Sequence, residues 1–270
     1  MFQDHFLSYR RFIYLKTAFL LTLLAAAFYI VDEPPVPPNG GTLLGYVLGT
    51  IAGLLCLWLL AFGVRKRAYR SDTGVMRGWL SAHVYLGVAV LIVATLHAGF
   101  QLSWTVHGVT YVLLVIVVVS GMTGVWMYFR YPRQLSEVLD GKTPDALLRD
   151  IADLDDRCAQ LAPDCPVPVR AALAAAAAGP LYAHRLQRYT GRNGRCATAA
   201  CLRVLTAAGT AKAVQSAYEL QSLRLHLLGR LRAYVRLRKW AEVWLLFHVP
   251  MSLALIAALV AHDVADFFYW

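Results

Sequence analysis

Four histidines lie inside apolar runs, and their spacing sets them apart from the rest of the chain. His83 and His97 are fourteen residues apart, and so are His248 and His262. In an α-helix fourteen residues rise about 21 Å and turn about 1400°, some 40° short of four whole turns, so each pair looks out from one helix face at two depths. Two such helices running side by side in the same direction present one imidazole from each at both levels. Imidazoles in hydrocarbon are costly and usually functional. One on either face of a flat macrocycle is the ligand set of a six-coordinate haem. The spacing therefore predicts two b-type haems, one between His83 and His248 and one between His97 and His262. Ligation on both faces leaves no open coordination position, so such haems carry electrons and do no chemistry on bound substrate.

The elements that must hold these rings are membrane helices. Of the 270 residues 59% are hydrophobic and only 16% charged, against about 25% charged in an ordinary soluble domain. Five stretches reach the roughly 20 apolar residues that a hydrocarbon core requires: Ile13 to Val31, Leu43 to Val64, Trp79 to Phe100, Val109 to Phe129 and Val243 to Ala265. The first runs directly into Asp32-Glu33-Pro34-Pro35 without the small residues of a cleavage site, and reads as a retained span. The fold class expected is all-α, a five-helix membrane bundle comprising residues 1–130 and 241–270. A helical cytoplasmic insertion, residues 131–240, lies between spans four and five.

Basic residues orient the bundle. Arg10, Arg11 and Lys16, then Arg65, Lys66, Arg67, Arg70 and Arg77, and finally everything basic from Arg130 to Lys239 fall on one side. By the positive-inside rule that side is the cytoplasm. The N-terminus is then cytoplasmic and the C-terminus outside, in the inner membrane of a cell. The net charge of +10 follows from this topology and from contact with anionic headgroups, without nucleic acid as a partner.

Within the insertion, Tyr131-Pro132 is expected to stop the fourth helix, and Thr143-Pro144-Asp145 to start the next with Thr143 as its cap. A helix is expected over Ala171 to Ala178 up to Gly179-Pro180, a turn over 191–194, and a helix from Ala211 that continues into span five. Cys158, Cys165, Cys196 and Cys201 are spaced poorly for structural zinc and, with a cytoplasmic address, read as free thiols.

Supporting features surround the histidines. Gly87, Gly99, Ser120, Gly121 and Gly124 would admit a porphyrin edge. Carbonyls one turn earlier, at Trp79, Val93, Trp244 and Ala258, would orient the rings, and Pro250 would free the carbonyl of Leu246 beside His248. Arg65, Arg77, Arg130 and Arg238 would pair with haem propionates. Trp104, His107 and Asp263 near the outer pair are the candidates for a quinone site. His5, His184 and His226 are given no ligand role, and the closing Phe267-Phe268-Tyr269-Trp270 reads as an interfacial aromatic belt.

With thirteen residues between the histidines of each pair, the chain resembles the di-haem membrane cytochromes, namely respiratory cytochrome b subunits and the ferric reductase/NADPH oxidase transmembrane domain. The third and fifth spans as ligand carriers, with the N-terminus inside, are closer to the second group. The resemblance covers spans three to five. It differs in having five spans where that family usually has six, no flavin or nicotinamide domain after them, and a basic insertion. It thus implies the electron-transfer membrane subunit of an oxidoreductase complex, served by a flavin or iron-sulfur protein docked on 131–240 and passing electrons to or from quinone or an external acceptor. The rival expectations are a ferric or other metal reductase acting through the outer haem, and a transporter or sensor whose four histidines bind metal ions or relay protons.

Overall fold

The computed structural model describes residues 5–67, 74–101 and 104–268; Arg70, Tyr269 and Trp270 lie outside them. The described residues are helical, without a strand. In order they form α1 (Tyr9–Val31), α2 (Leu43–Arg67), α3 (Met76–His97), α4 (Val106–Leu139), α5 (Pro144–Leu161), α6 (Val167–Ala178), α7 (Gln187–Thr190), α8 (Ala197–Ala207) and α9 (Lys212–Phe268). Five of these, α1 to α4 and α9, are long and apolar enough to cross a membrane, as in a multi-pass membrane protein. The chain divides into two compact units, residues 1–125 with 244–270, and residues 126–243.

In the first unit all five long helices contribute to one core. Ala25 of α1, Leu48, Ala52 and Cys56 of α2, Val90, Val93 and Leu96 of α3, Leu114 of α4 and Leu255 of α9 are buried together. Leucines such as Leu20, Leu54 and Leu246 face outward, more than half exposed, an apolar surface of the kind that a lipid environment would match. In α1, Arg10, Arg11 and Phe12 adopt left-handed backbone, so regular helix begins at Ile13. At the far end of α3, Gly99 takes φ +56°, and a Cβ there would sit 1.9 Å from the Pro38 carbonyl oxygen. Glycine is required here by this backbone contact.

In the second unit α5, α6 and α8 pack on the first half of α9. One cluster gathers Cys158, Val169, Leu173, Cys201, Leu205 and Val214, another Leu147, Ile151, Leu154, Leu227, Leu228 and Leu231. Buried Arg224 of α9 donates from Nε (2.7 Å) and Nη2 (3.0 Å) to the two carboxylate oxygens of Asp155, and from Nη1 to Thr198. Thr143 caps α5 through a bond from the Ala146 amide to its hydroxyl, with Pro144 at the first position. Pro132, by contrast, does not stop the fourth helix. It lies inside α4, because proline forfeits one ladder bond and the helix resumes beyond it. The helix ends at Leu139, where Asp140 (φ +47°) and Gly141 (φ +73°) turn left-handed and Arg230 donates to the carbonyls of Val138 and Leu139 at 2.8 and 2.5 Å. All five cysteines are buried and free.

Candidate functional site

His97 is the last residue of α3, and α2 is shaped to receive its ring. A Cβ on Gly49 would stand 2.7 Å from His97 Cε1 and 2.8 Å from Nδ1, and one on Gly40 would stand 3.0 Å from Cε1. Only glycines leave this slot open. Within it His97 Nδ1 lies 2.8 Å from the carbonyl oxygen of Gly45. A carbonyl only accepts, so Nδ1 carries a proton; in the neutral ring this leaves the lone pair on Nε2, the tautomer in which an imidazole can bind a metal.

At the other end of the bundle, His248 of α9 is held by α4. Its Nδ1 lies 2.7 Å from the Ser120 hydroxyl, and its ring stacks on Trp244 at 5.5 Å between centroids. Trp244 in turn presses on Gly124, where a Cβ would meet its ring at 2.1 Å, and donates its Nε1–H to the Ser120 carbonyl at 2.7 Å. Gly121, 3.5 Å from His248 Cε1 if given a Cβ, lines the same face. His83 of α3 packs against Phe62 at 4.8 Å between ring centroids. Its Nδ1 is buried with no hydrogen-bond partner. An unmet polar atom of this kind costs about 1–3 kcal/mol.

The outer rings of His97 and His262 meet. His97 and His262 have centroids 6.1 Å apart and planes 78° from parallel. Two metal–nitrogen bonds of about 2 Å plus roughly 1 Å from each nitrogen to its ring centre require a separation of about 6 Å. His262 has further neighbours. Its Nδ1 is 2.7 Å from Nδ1 of His107, and Asp266 approaches His262 Nε2 at 3.5 Å and His107 Nε2 at 3.8 Å. His107, His262 and Asp266 form the one group of three metal-ligating side chains among the described residues.

The ring-orienting acceptors differ from those expected. Gly45 stands in place of Val93, Ser120 in place of Trp244, Ala258 accepts instead from Thr110, and His83 Nδ1 bonds neither Trp79 nor any other described residue. The rings of His97 and His248 are aimed at a neighbouring helix and find their partners there. Of the residues expected around a quinone, His107 touches the histidine cluster, while Trp104 is 99% exposed and Asp263 points outward. Asp266, one turn after His262, is the acid whose carboxylate approaches its ring. Gly87 has open space where a Cβ would be. Arg65, at the end of α2, donates to the Gly74 carbonyl at 3.0 Å, and Arg77 lies in the first turn of α3. In the second unit Arg130 is exposed and Arg238 pairs with Glu242 at 3.2 Å.

Two signals for these residues were present in the sequence. Gly45 and Gly49 form a small-xxx-small step of the kind that lets helices approach closely, and Asp266 is four residues from His262, hence on its face. No protein-family model, no curated protein and no solved structure matches the chain.

Proposed function

We propose that the chain is a di-haem b-type membrane cytochrome subunit, with His83 and His248 as the ligands at the cytoplasmic level and His97 and His262 at the outer level. The observation that carries this reading is the outer pair. Two imidazoles from different helices stand 6.1 Å apart, and one of them is held by the Gly45 carbonyl in the tautomer a metal ligand needs. At the inner level Ser120 orients His248 and His83 keeps an unmet nitrogen.

Haem bound at each level supplies a one-electron carrier on either side of the hydrocarbon layer. The protein's part is to hold the rings, to exclude water from the spans and to place basic ends, Arg65 and Arg77 among them, beside the inner propionates. The positive-inside distribution puts the N-terminus and residues 131–240 in the cytoplasm of a cell whose inner membrane holds the bundle. A flavin or iron-sulfur protein docked on 131–240 is the inner redox partner, and quinone or an external acceptor the outer one.

A second reading rests on a separate observation. His107, His262 and Asp266 offer two imidazoles and a carboxylate converging within 4.8 Å, a set that suits a divalent transition-metal ion. It belongs to a histidine-based transporter or sensor, or to a metal reductase whose substrate arrives at the outer face. The optical spectrum of protein purified from a haem-replete host tests both. Low-spin b bands at two haems per chain, falling to one in His97→Ala, are the result expected. A colourless protein that binds one zinc ion per chain would sink the cytochrome reading.

A further inference from the structure

Between Asp164 and Glu219 the chain has no acidic residue, and it carries seven basic ones there. Four of them, Arg185, Arg188, Arg192 and Arg195, are exposed around the short helix α7 and have no ion-pair partner among the described residues. The segment is fixed in place. The amides of Ala183 and Arg195 donate to the side-chain oxygens of Gln187 (2.9 Å) and Asn193 (3.1 Å), and Asn193 donates to the Leu181 carbonyl at 3.2 Å.

It is also fastened to α9 at one particular height. Trp240 donates its indole N–H to the Tyr189 carbonyl at 3.1 Å and meets the Tyr189 ring edge-on. Gly191, in left-handed backbone at φ +70°, lies flat against Arg236, which a Cβ would meet at 3.3 Å. Val243, where the apolar run of α9 begins, is three residues beyond Trp240, a rise of about 4.5 Å. Leu186 is 77% exposed and Trp240 46%, so an exposed leucine and an exposed indole accompany the arginines of this segment.

We infer that Arg185, Arg188, Arg192, Arg195 and Arg236, with Leu186 and Trp240, form a binding surface for anionic phospholipid headgroups. The chemistry favours lipid over an acidic protein. Guanidinium groups pair with phosphate in a two-pronged fashion. Trp and Leu among basic residues mark an element lying in the headgroup layer, and tryptophan concentrates at that depth. A merely hydrated basic face would have no use for Leu186. The inference rests on the bilayer placement of α9 proposed above, though on no haem.

The test uses the full chain with Leu186→Cys, labelled with an environment-sensitive fluorophore; the native thiols are buried and do not compete. In nanodiscs the emission shifts to the blue when phosphatidylglycerol replaces part of the phosphatidylcholine, and the shift falls away as salt is raised. Each arginine near an anionic surface is worth about five-fold in attraction. Arg188→Gln, Arg192→Gln and Arg195→Gln combined should therefore cut the lipid-bound population roughly a hundred-fold. Equal emission in the two lipids, or a shift indifferent to salt, overturns the inference. So does a shift produced by polyglutamate but not by phosphatidylglycerol, which assigns the patch to an acidic protein face. Recovery of the chain in discs reports on the bilayer placement separately from the emission.

Discussion

The hydroxyl of Ser120 faces two acceptor atoms, the Val117 carbonyl at 2.8 Å and Nδ1 of His248 at 2.7 Å. A serine has one proton to give, and the carbonyl can only accept. The hydroxyl therefore donates to Val117 and accepts from His248, which assigns the ring proton to Nδ1 and the lone pair to Nε2. Ser120→Ala removes that acceptor and leaves the ring free to change tautomer. Loss of such a partner typically weakens metal affinity about ten- to hundred-fold. Titration of apoprotein with haem, followed optically, should show one of two sites weakened by that factor in Ser120→Ala and restored in Ser120→Thr. Two unchanged sites would mean that His248 is not a ligand.

Gly49→Ala places a methyl 2.7 Å from the ring of His97, while Gly53, one turn on, has nothing within 4 Å of where its methyl would go. The two substitutions are alike in helix propensity and differ only in that collision. Gly49→Ala should lower outer-site haem occupancy several-fold, and Gly53→Ala should leave the spectrum as it was. Equal behaviour of the two would show that the slot does not position His97.

His107 separates the two readings of the outer cluster. If His262 ligates haem, His107 only holds its Nδ1, and His107→Ala keeps most outer haem, whereas His97→Ala abolishes it. If a divalent ion sits between His107, His262 and Asp266, His107→Ala removes one of three ligands and zinc affinity falls by orders of magnitude, with His97→Ala nearly silent. Haem and zinc counted per chain in each variant give the answer.

What the sequence disclosed, and what it hid, divides along a physical line. Helices signal themselves through composition, so five apolar stretches and the Thr143-Pro144 start are legible by length and capping alone. The fate of Pro132 is not, because one lost ladder bond is outweighed when both flanking segments favour helix. The histidines are legible as two pairs by spacing along their own helices. Their partners Gly45 and Ser120 sit on other helices, and no local pattern tells which carbonyl or hydroxyl a ring will reach. The contact of Asp266 with His262 follows helix geometry: one residue along a helix turns about 100° away, and four residues return to the same face.

In the second unit the ion pair of Arg224 and Asp155 holds α9 against α5. Their side chains are 4% and 21% exposed, so removing the carboxylate leaves a guanidinium in a dry site. Breaking a buried pair in this way costs about 3–5 kcal/mol, while replacing both members with apolar groups of similar size is often harmless. Asp155→Ala should lower the apparent Tm by about 10 °C or more, and Asp155→Leu with Arg224→Met should recover most of that loss. Differential scanning fluorimetry of the three proteins in one detergent decides it.

Alkaline pH should loosen the same unit through its thiols. Burial pushes the Cys201 thiol from 9.0 up to about 11, and nearby Cys158 adds to the effect; burial raises Cys158 too. A raised value means that the folded state keeps the proton after the unfolded chain has given it up. The contribution of Cys201 is therefore complete below pH 9, and it is lost as pH rises from 9 through about 11. Cys196 runs the other way. Burial raises it, but the bond from Arg232 Nη2 at 3.2 Å, together with the amides of Ala199 and Thr198, outweighs burial and sets the thiol below its ordinary value. Its anion thus favours the fold as pH rises toward 9 and offsets nothing beyond. Unfolding temperatures measured from pH 8 to 11 should fall above pH 9, and fall less in Cys201→Ala once its lower starting value is subtracted. An unaltered slope in that variant would show that the buried thiol does not govern the alkaline limb.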